Sequence, residues 1–97
     1  MVIIQAEEIM EKKIIDFYGD GCGNCKMLEG ILKQLEGEYT DVKFEKVNIK
    51  DAEDLAEQYG VTTLPSLVFL RDGEMVEKMT GLKPKTIISK KIIEIYN

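Results

Sequence analysis

Ninety-seven residues, 44% of them hydrophobic and 32% charged, suit one globular domain with a single modest core and exclude a disordered chain. A formal charge of −5 and a pI near 4.8 argue against nucleic acid or an anionic membrane as partner, and no apolar run reaches the roughly 18–20 residues of a membrane span. The first residues carry no basic stretch and meet Glu7 and Glu8 too soon for a secretory signal, so a cytoplasmic protein is expected.

Val2-Ile3-Ile4 fits a short edge strand, and residues 6–13, with Ile9 and Met10 apolar among acids and lysines, fit a helix of about two turns. Ile14-Ile15-Asp16-Phe17-Tyr18 is an apolar run broken only by Asp16, as in a strand buried on both faces. Gly19-Asp20-Gly21 turns the chain into Cys22-Gly23-Asn24-Cys25. Met27, Leu28, Ile31, Leu32, Leu35 and Tyr39 then recur at spacings of one, three and four, which places them on one helical face. Gly30 costs that helix roughly 1 kcal/mol relative to alanine and permits a bend, while Gly37 weakens its last turn.

Residues 42–49 read as a strand and residues 51–59 as a helix capped by Asp51, with Leu55, Ala56 and Tyr59 inward and Gly60 just past its end. Residues 66–70 form a second apolar strand. Arg71-Asp72-Gly73-Glu74 is a hairpin turn, residues 75–80 return antiparallel, and Gly81 ends them. A last helix over residues 84–96 places Ile88, Ile92, Ile95 and Tyr96 on one stripe. The order β-α-β-α-β-α-β-β-α predicts an α/β domain with a central mixed sheet and helices on both faces.

The chain has two cysteines and no histidine. A disulfide closing so short a loop constrains little chain entropy, and a structural zinc site takes four Cys or His ligands, of which two thiolates supply half. Cys22 stands at the mouth of a helix, where unsatisfied N–H groups and the positive end of the macrodipole favour a thiolate. Cys25 lies one turn further in, within bonding reach. Thiol–disulfide exchange suits this arrangement, with Cys22 as exposed nucleophile and Cys25 as resolving thiol; two core cysteines placed by chance are the plain alternative.

Asp16, inside an apolar strand, should have a raised pKa and could exchange protons with Cys25, unless it sits at an exposed strand end. Lys46 is its candidate partner or simply a solvated cation. Pro65 opens an apolar strand. A cis Leu64–Pro65 bond would free backbone groups of Thr63 and Leu64 to pair with a substrate strand, although proline statistics alone favour trans. Tyr18 is close enough to the cysteines to wall the site; Tyr59, Phe44 and Phe69 read as core or edge aromatics.

Asp16-Phe17-Tyr18, Cys22-Gly23-Asn24-Cys25-Lys26-Met27, Lys46-Val47-Asn48-Ile49 and Tyr59-Gly60-Val61-Thr62-Thr63-Leu64-Pro65-Ser66, with Gly73 and Gly81, together resemble the thioredoxins from about Ile14 onward. The resemblance implies a thioredoxin fold, protein-disulfide reductase activity through a redox-active Cys22–Cys25 disulfide, and no bound cofactor or metal. It implies Cys22 as attacking thiol, Cys25 as resolving thiol, Asp16 as proton relay with Lys46 near it, and Pro65 as a cis proline facing the cysteines. Tyr18, Gly23, Asn24, Thr63, Leu64 and Pro65 are the expected substrate contacts. Disulfide-containing proteins, a thioredoxin-reductase-type electron donor and a monomeric state are the expected partners and form.

The chain departs from the family where Asn24 replaces a proline, Gly21 a tryptophan and Gly30 a helix-kinking proline, and where the N-terminal region is short. Asn24 and Gly21 both touch the thiolate's surroundings and so bear on potential, reductase and substrate range. Asn24 is expected to donate hydrogen bonds to sulfur that proline cannot. The other functions considered are a glutaredoxin-like redoxin, a metal- or iron–sulfur-binding module, and an interaction protein with idle cysteines.

Overall fold

In the computed structural model, which describes residues 10–97, the sheet is built outward from β1 (Lys12–Tyr18). Ile14, Ile15, Asp16 and Phe17 are all buried, as expected of a strand covered on both faces. β2 (Lys43–Asn48) lies parallel to it on one side, β3 (Ser66–Arg71) antiparallel on the other, and β4 (Glu74–Thr80) returns along β3, giving the order β2-β1-β3-β4. The parallel pair requires a crossover, which α1 (Gly23–Glu38) supplies. The hairpin needs only Asp72 and Gly73, whose φ values of 54° and 86° match the twist of the flanking strands.

Alternate residues of β1 face opposite sides of the sheet. Ile14 joins Leu67 and Phe69 beneath Leu28, Leu32 and Leu35 of α1 and Ile88, Ile92 and Tyr96 of the C-terminal helix, α3 (Lys85–Tyr96). Ile15 and Phe17 join Val68 and Leu70 on the opposite face, covered by Ala56 of α2 (Glu53–Gln58), by Val61, and by the partly buried Leu55 and Tyr59. The mixed sheet with helices on both faces is therefore the architecture that the hydrophobic pattern predicts. Among the described residues, no helix is long and apolar enough to cross a membrane.

Three local expectations change. The helix expected over residues 6–13 fails at its end, where Lys12 and Lys13 already belong to β1; its first four residues, like the Val2-Ile3-Ile4 strand, lie outside the described residues. The two lysines suit a strand because their ammonium groups reach Asp41 (2.7 Å) and Glu45 (3.2 Å). Met27 leaves the apolar face of α1 and is 61% exposed, since it stands about 100° round the helix from Leu28.

Asp51 does not cap α2. A 3₁₀ turn over Ile49–Asp51 intervenes, capped by the Asn48 side chain, and α2 starts after Ala52 with no side-chain cap. Glu53 and Asp54 in its first turn complement the helix dipole instead. At its far end Gly60 takes a φ of 67°, and Lys78 Nζ donates to the carbonyls of Gly60 (2.7 Å) and Tyr59 (3.3 Å).

The Tyr96 hydroxyl ties α3 to the sheet, lying 2.9 Å from the Lys13 carbonyl and 2.8 Å from the Leu70 carbonyl. Burial pushes its pKa up to about 12. Tyr96→Phe is expected to keep the fold but lower stability by about 1–2 kcal/mol in urea denaturation, because it strips a buried donor from two carbonyls.

Candidate redox-active site

β1 delivers the chain to a loop whose geometry needs glycine. Gly21 has a φ of 69°, and a Cβ at Gly19 would lie 2.8 Å from Leu64 Cδ1. Asp20 anchors the loop to the end of β2: it accepts from Asn48 Nδ2 (3.0 Å) and Lys50 Nζ (2.7 Å). The Lys50 hydrogen bond, then that of Asn48, holds the Asp20 carboxyl below its ordinary value.

Cys22 is the N-cap of α1. Its backbone is extended (φ −96°, ψ 107°), and its Sγ accepts from the Cys25 N–H at 3.1 Å. The sulfur thus takes the place of a capping oxygen and faces a donor that a thiolate would also accept from. No acidic residue lies in the first turn to oppose that charge. Cys22 and Cys25 are joined in a disulfide with their Cα atoms 5.2 Å apart. Cys22 is half-buried, whereas Cys25 is only 4% exposed. Gly23 and Asn24 are exposed on the first turn. Among the described residues the Asn24 amide donates to neither sulfur; the Cys25 backbone supplies that bond.

A cleft of about 170 Å³ is lined by both cysteines with Tyr18, Lys26, Glu29 and Lys46, along with the Gly19–Gly21 loop. Tyr18 thus lines the cleft beside both cysteines. Asp16 lies beyond this cleft and lines a second one, under α1, that also borders Glu29 and Lys46. It is 3% exposed, and among the described residues neither carboxylate oxygen has a hydrogen-bond partner. Burial raises its pKa from 3.8 to about 6, against the opposing pull of the Lys46 charge and with a smaller push from Glu29.

Lys46 sits opposite Asp16 in the β1–β2 register, yet its ion-pair partner is Glu29, at 2.6 Å. The expected direct pairing with Asp16 is thus corrected to an influence through space. The ammonium also lies 4.7 Å from the Tyr18 ring centre. Glu29 was not singled out from sequence, although it stands one helical turn after Cys25, on the side of α1 that faces β2. The Asp20–Lys50 anchor was likewise missed; opposite charges on either side of a strand carry no local signal.

The Leu64–Pro65 bond is cis, as the resemblance implies. Thr63, Leu64 and Pro65 do not line the cysteine cleft, and Leu64 approaches the redox loop at Gly19. The expectation of free backbone groups holds in part. The Thr63 carbonyl accepts from Ser66 Oγ (2.6 Å) and the Pro65 carbonyl from the Gly81 N–H (2.7 Å), while no backbone bond among the described residues engages Leu64. Thr63 is exposed and Pro65 is buried.

No group of three or more Cys, His, Asp or Glu side chains suited to a metal comes together among the described residues. A family model described as Thioredoxin matches residues 3–94. The chain is 47% identical over 72 residues to a thioredoxin of Chlamydia caviae, covering 74% of this chain and 71% of that one. It is 36% identical over 96 residues to a thioredoxin of Mycoplasma genitalium, covering 96% and 90%. The crystal structure of oxidized mitochondrial thioredoxin 3 from Saccharomyces cerevisiae superposes with a TM-score of 0.82 at 33% identity, over 94% of this chain and 85% of that one. With a disulfide between Cys22 and Cys25 at the mouth of α1, on a sheet of this topology, the chain belongs to the thioredoxin family of thiol–disulfide oxidoreductases.

Proposed function

We propose that the two cysteines divide the exchange reaction according to their exposure, the observation that carries this reading. The Cys22 thiolate, at the helix N-terminus, attacks one sulfur of a substrate disulfide; a mixed disulfide forms and one substrate thiolate leaves. Cys25, shielded and one turn away, then attacks the Cys22 sulfur. The second substrate thiolate departs, two electrons have passed to the substrate, and Cys22–Cys25 is left oxidised. Proximity makes this second step fast relative to escape of the intermediate.

For Cys25 to attack it must lose its proton. Asp16 is the group we assign to accept it, because a carboxyl raised to about 6 is largely ionised near pH 7, holds a proton better than an ordinary carboxylate, and has no hydrogen-bond partner among the described residues. Tyr18 and the exposed Gly23 and Asn24 offer surface beside the attacking sulfur. The exposed Thr63 and the backbone of Leu64 offer strand-pairing groups near the loop that Leu64 packs against. Thioredoxins in general reduce disulfide substrates and are themselves reduced by a thioredoxin reductase; we assign this chain protein disulfides as substrates and a reductase of that type as donor. A dithiol kept reduced in this way fits a cytoplasmic compartment.

A redox equilibrium against a dithiol buffer tests the reading. A reversible two-electron couple near the value characteristic of the family, about −270 mV, is expected. A value nearer −200 mV would move the chain toward glutaredoxin-like work, and the lack of any reversible couple would defeat the proposal.

A further inference from the structure

Lys46 faces a choice of two carboxylates. Asp16 is its register partner on the neighbouring strand and is buried, with both oxygens unpartnered among the described residues. Glu29, on α1, has a side chain 35% exposed and needs the cation less, yet it is Glu29 that holds the ammonium at 2.6 Å. Glu29 and Lys46 also line both clefts, so their ion pair stands between the cysteines' cleft and that of Asp16.

We propose that Glu29 is a positioning residue: by binding the Lys46 ammonium it keeps this cation from pairing with Asp16 and leaves the Asp16 carboxyl free to take up a proton. Its consequence for catalysis rests on the reading of Asp16 as the proton acceptor. Among the described residues, the charged groups that share the Asp16 cleft come from two elements: Glu29, Lys33 and Glu36 from α1, and Glu45 and Lys46 from β2. Glu45 is engaged by Lys13 at 3.2 Å, and β3 presents Leu67 in register with Asp16. Of these, Lys46 is the cation placed to change partners, because removing Glu29 frees it on the strand adjacent to Asp16.

The carbon-13 shift of the Asp16 carboxyl, followed against pH in the oxidised full chain, reads the effect where neither cysteine titrates. Glu29→Gln is expected to lower the Asp16 midpoint by about one pH unit or more. Glu29→Asp, which keeps a carboxylate, should retain most of the unaltered chain's value. In a Lys46→Gln background the same Glu29→Gln change should shift the midpoint by less than half as much, since only the direct repulsion between two carboxylates is then removed. Equal shifts in the two backgrounds, or none in either, would overturn the proposal.

The pH profile of disulfide reduction should move with the carboxyl midpoint. Asp16→Asn separates the two readings. If that variant leaves the profile unchanged while the carboxyl shift still depends on Glu29 through Lys46, the proton-acceptor reading falls and the positioning role stands.

Discussion

Cys22→Ser is expected to slow reduction of a protein disulfide by at least about 10³-fold, measured as thiol release with a dithiol as electron source. A serine hydroxyl is not ionised near neutral pH, and the helix N-terminus that favours a thiolate cannot bring it into that range. The companion change separates the two sulfurs. Cys25→Ser removes turnover but not the first attack, so the variant should accumulate a covalent mixed disulfide with its substrate, visible by mass and reversed by added dithiol. The asymmetry follows from burial: Cys22 is half-buried at the N-cap, and Cys25 is 4% exposed behind it. Trapping by Cys22→Ser rather than by Cys25→Ser would invert the assignment.

The second large effect concerns stability. Asp16 carries a pKa of about 6 in the fold against 3.8 as an ordinary carboxyl, with burial the main cause. Between those two values the unfolded chain has released the proton while the folded chain keeps it, so stability falls as pH rises through the window and levels off above about pH 6. Below both values the group contributes nothing. A shift of about two units corresponds to about 3 kcal/mol at neutral pH, and an amide retains part of the burial cost. Asp16→Asn should therefore stabilise the protein by about 1–3 kcal/mol at pH 7 and flatten the pH dependence of its urea midpoint between about pH 4 and pH 6. A variant no more stable than the parent at pH 7 would show that the carboxylate is compensated in the fold. If stabilisation comes together with slower exchange above pH 6, the site retains an unfavourable charge for its chemistry.

The Lys46–Glu29 pair bears on both results. Lys46 already lowers the cost of ionising Asp16 from a distance, and Glu29 opposes it. Lys46 stands beside Asp16 because parallel strands set the two in register, but register settles only where the Cα atoms stand. Where the ammonium goes depends on the competing acid that α1 lays over β2, a contact across 17 positions.

The chain's local chemistry determined a large share of the rest. A run of apolar residues ending in Gly19-Asp20-Gly21 and followed by Cys22 and Cys25 announces a strand, a turn and a helix mouth, since hydrophobic period and glycine are short-range signals. Asp72-Gly73 likewise determined the hairpin, and the spacing of Ile88, Ile92 and Tyr96 the buried stripe of α3. Thiol–disulfide chemistry followed from that order because the reacting groups lie within one turn of each other. Only the tertiary structure decided which acid takes Lys46, that Asp20 is tethered across 30 positions by Lys50, and that Leu64 closes over Gly19. It also decided that a 3₁₀ turn rather than Asp51 leads into α2. These choices rest on competition among groups distant in sequence, where burial and distance, not residue type or local period, select the partner.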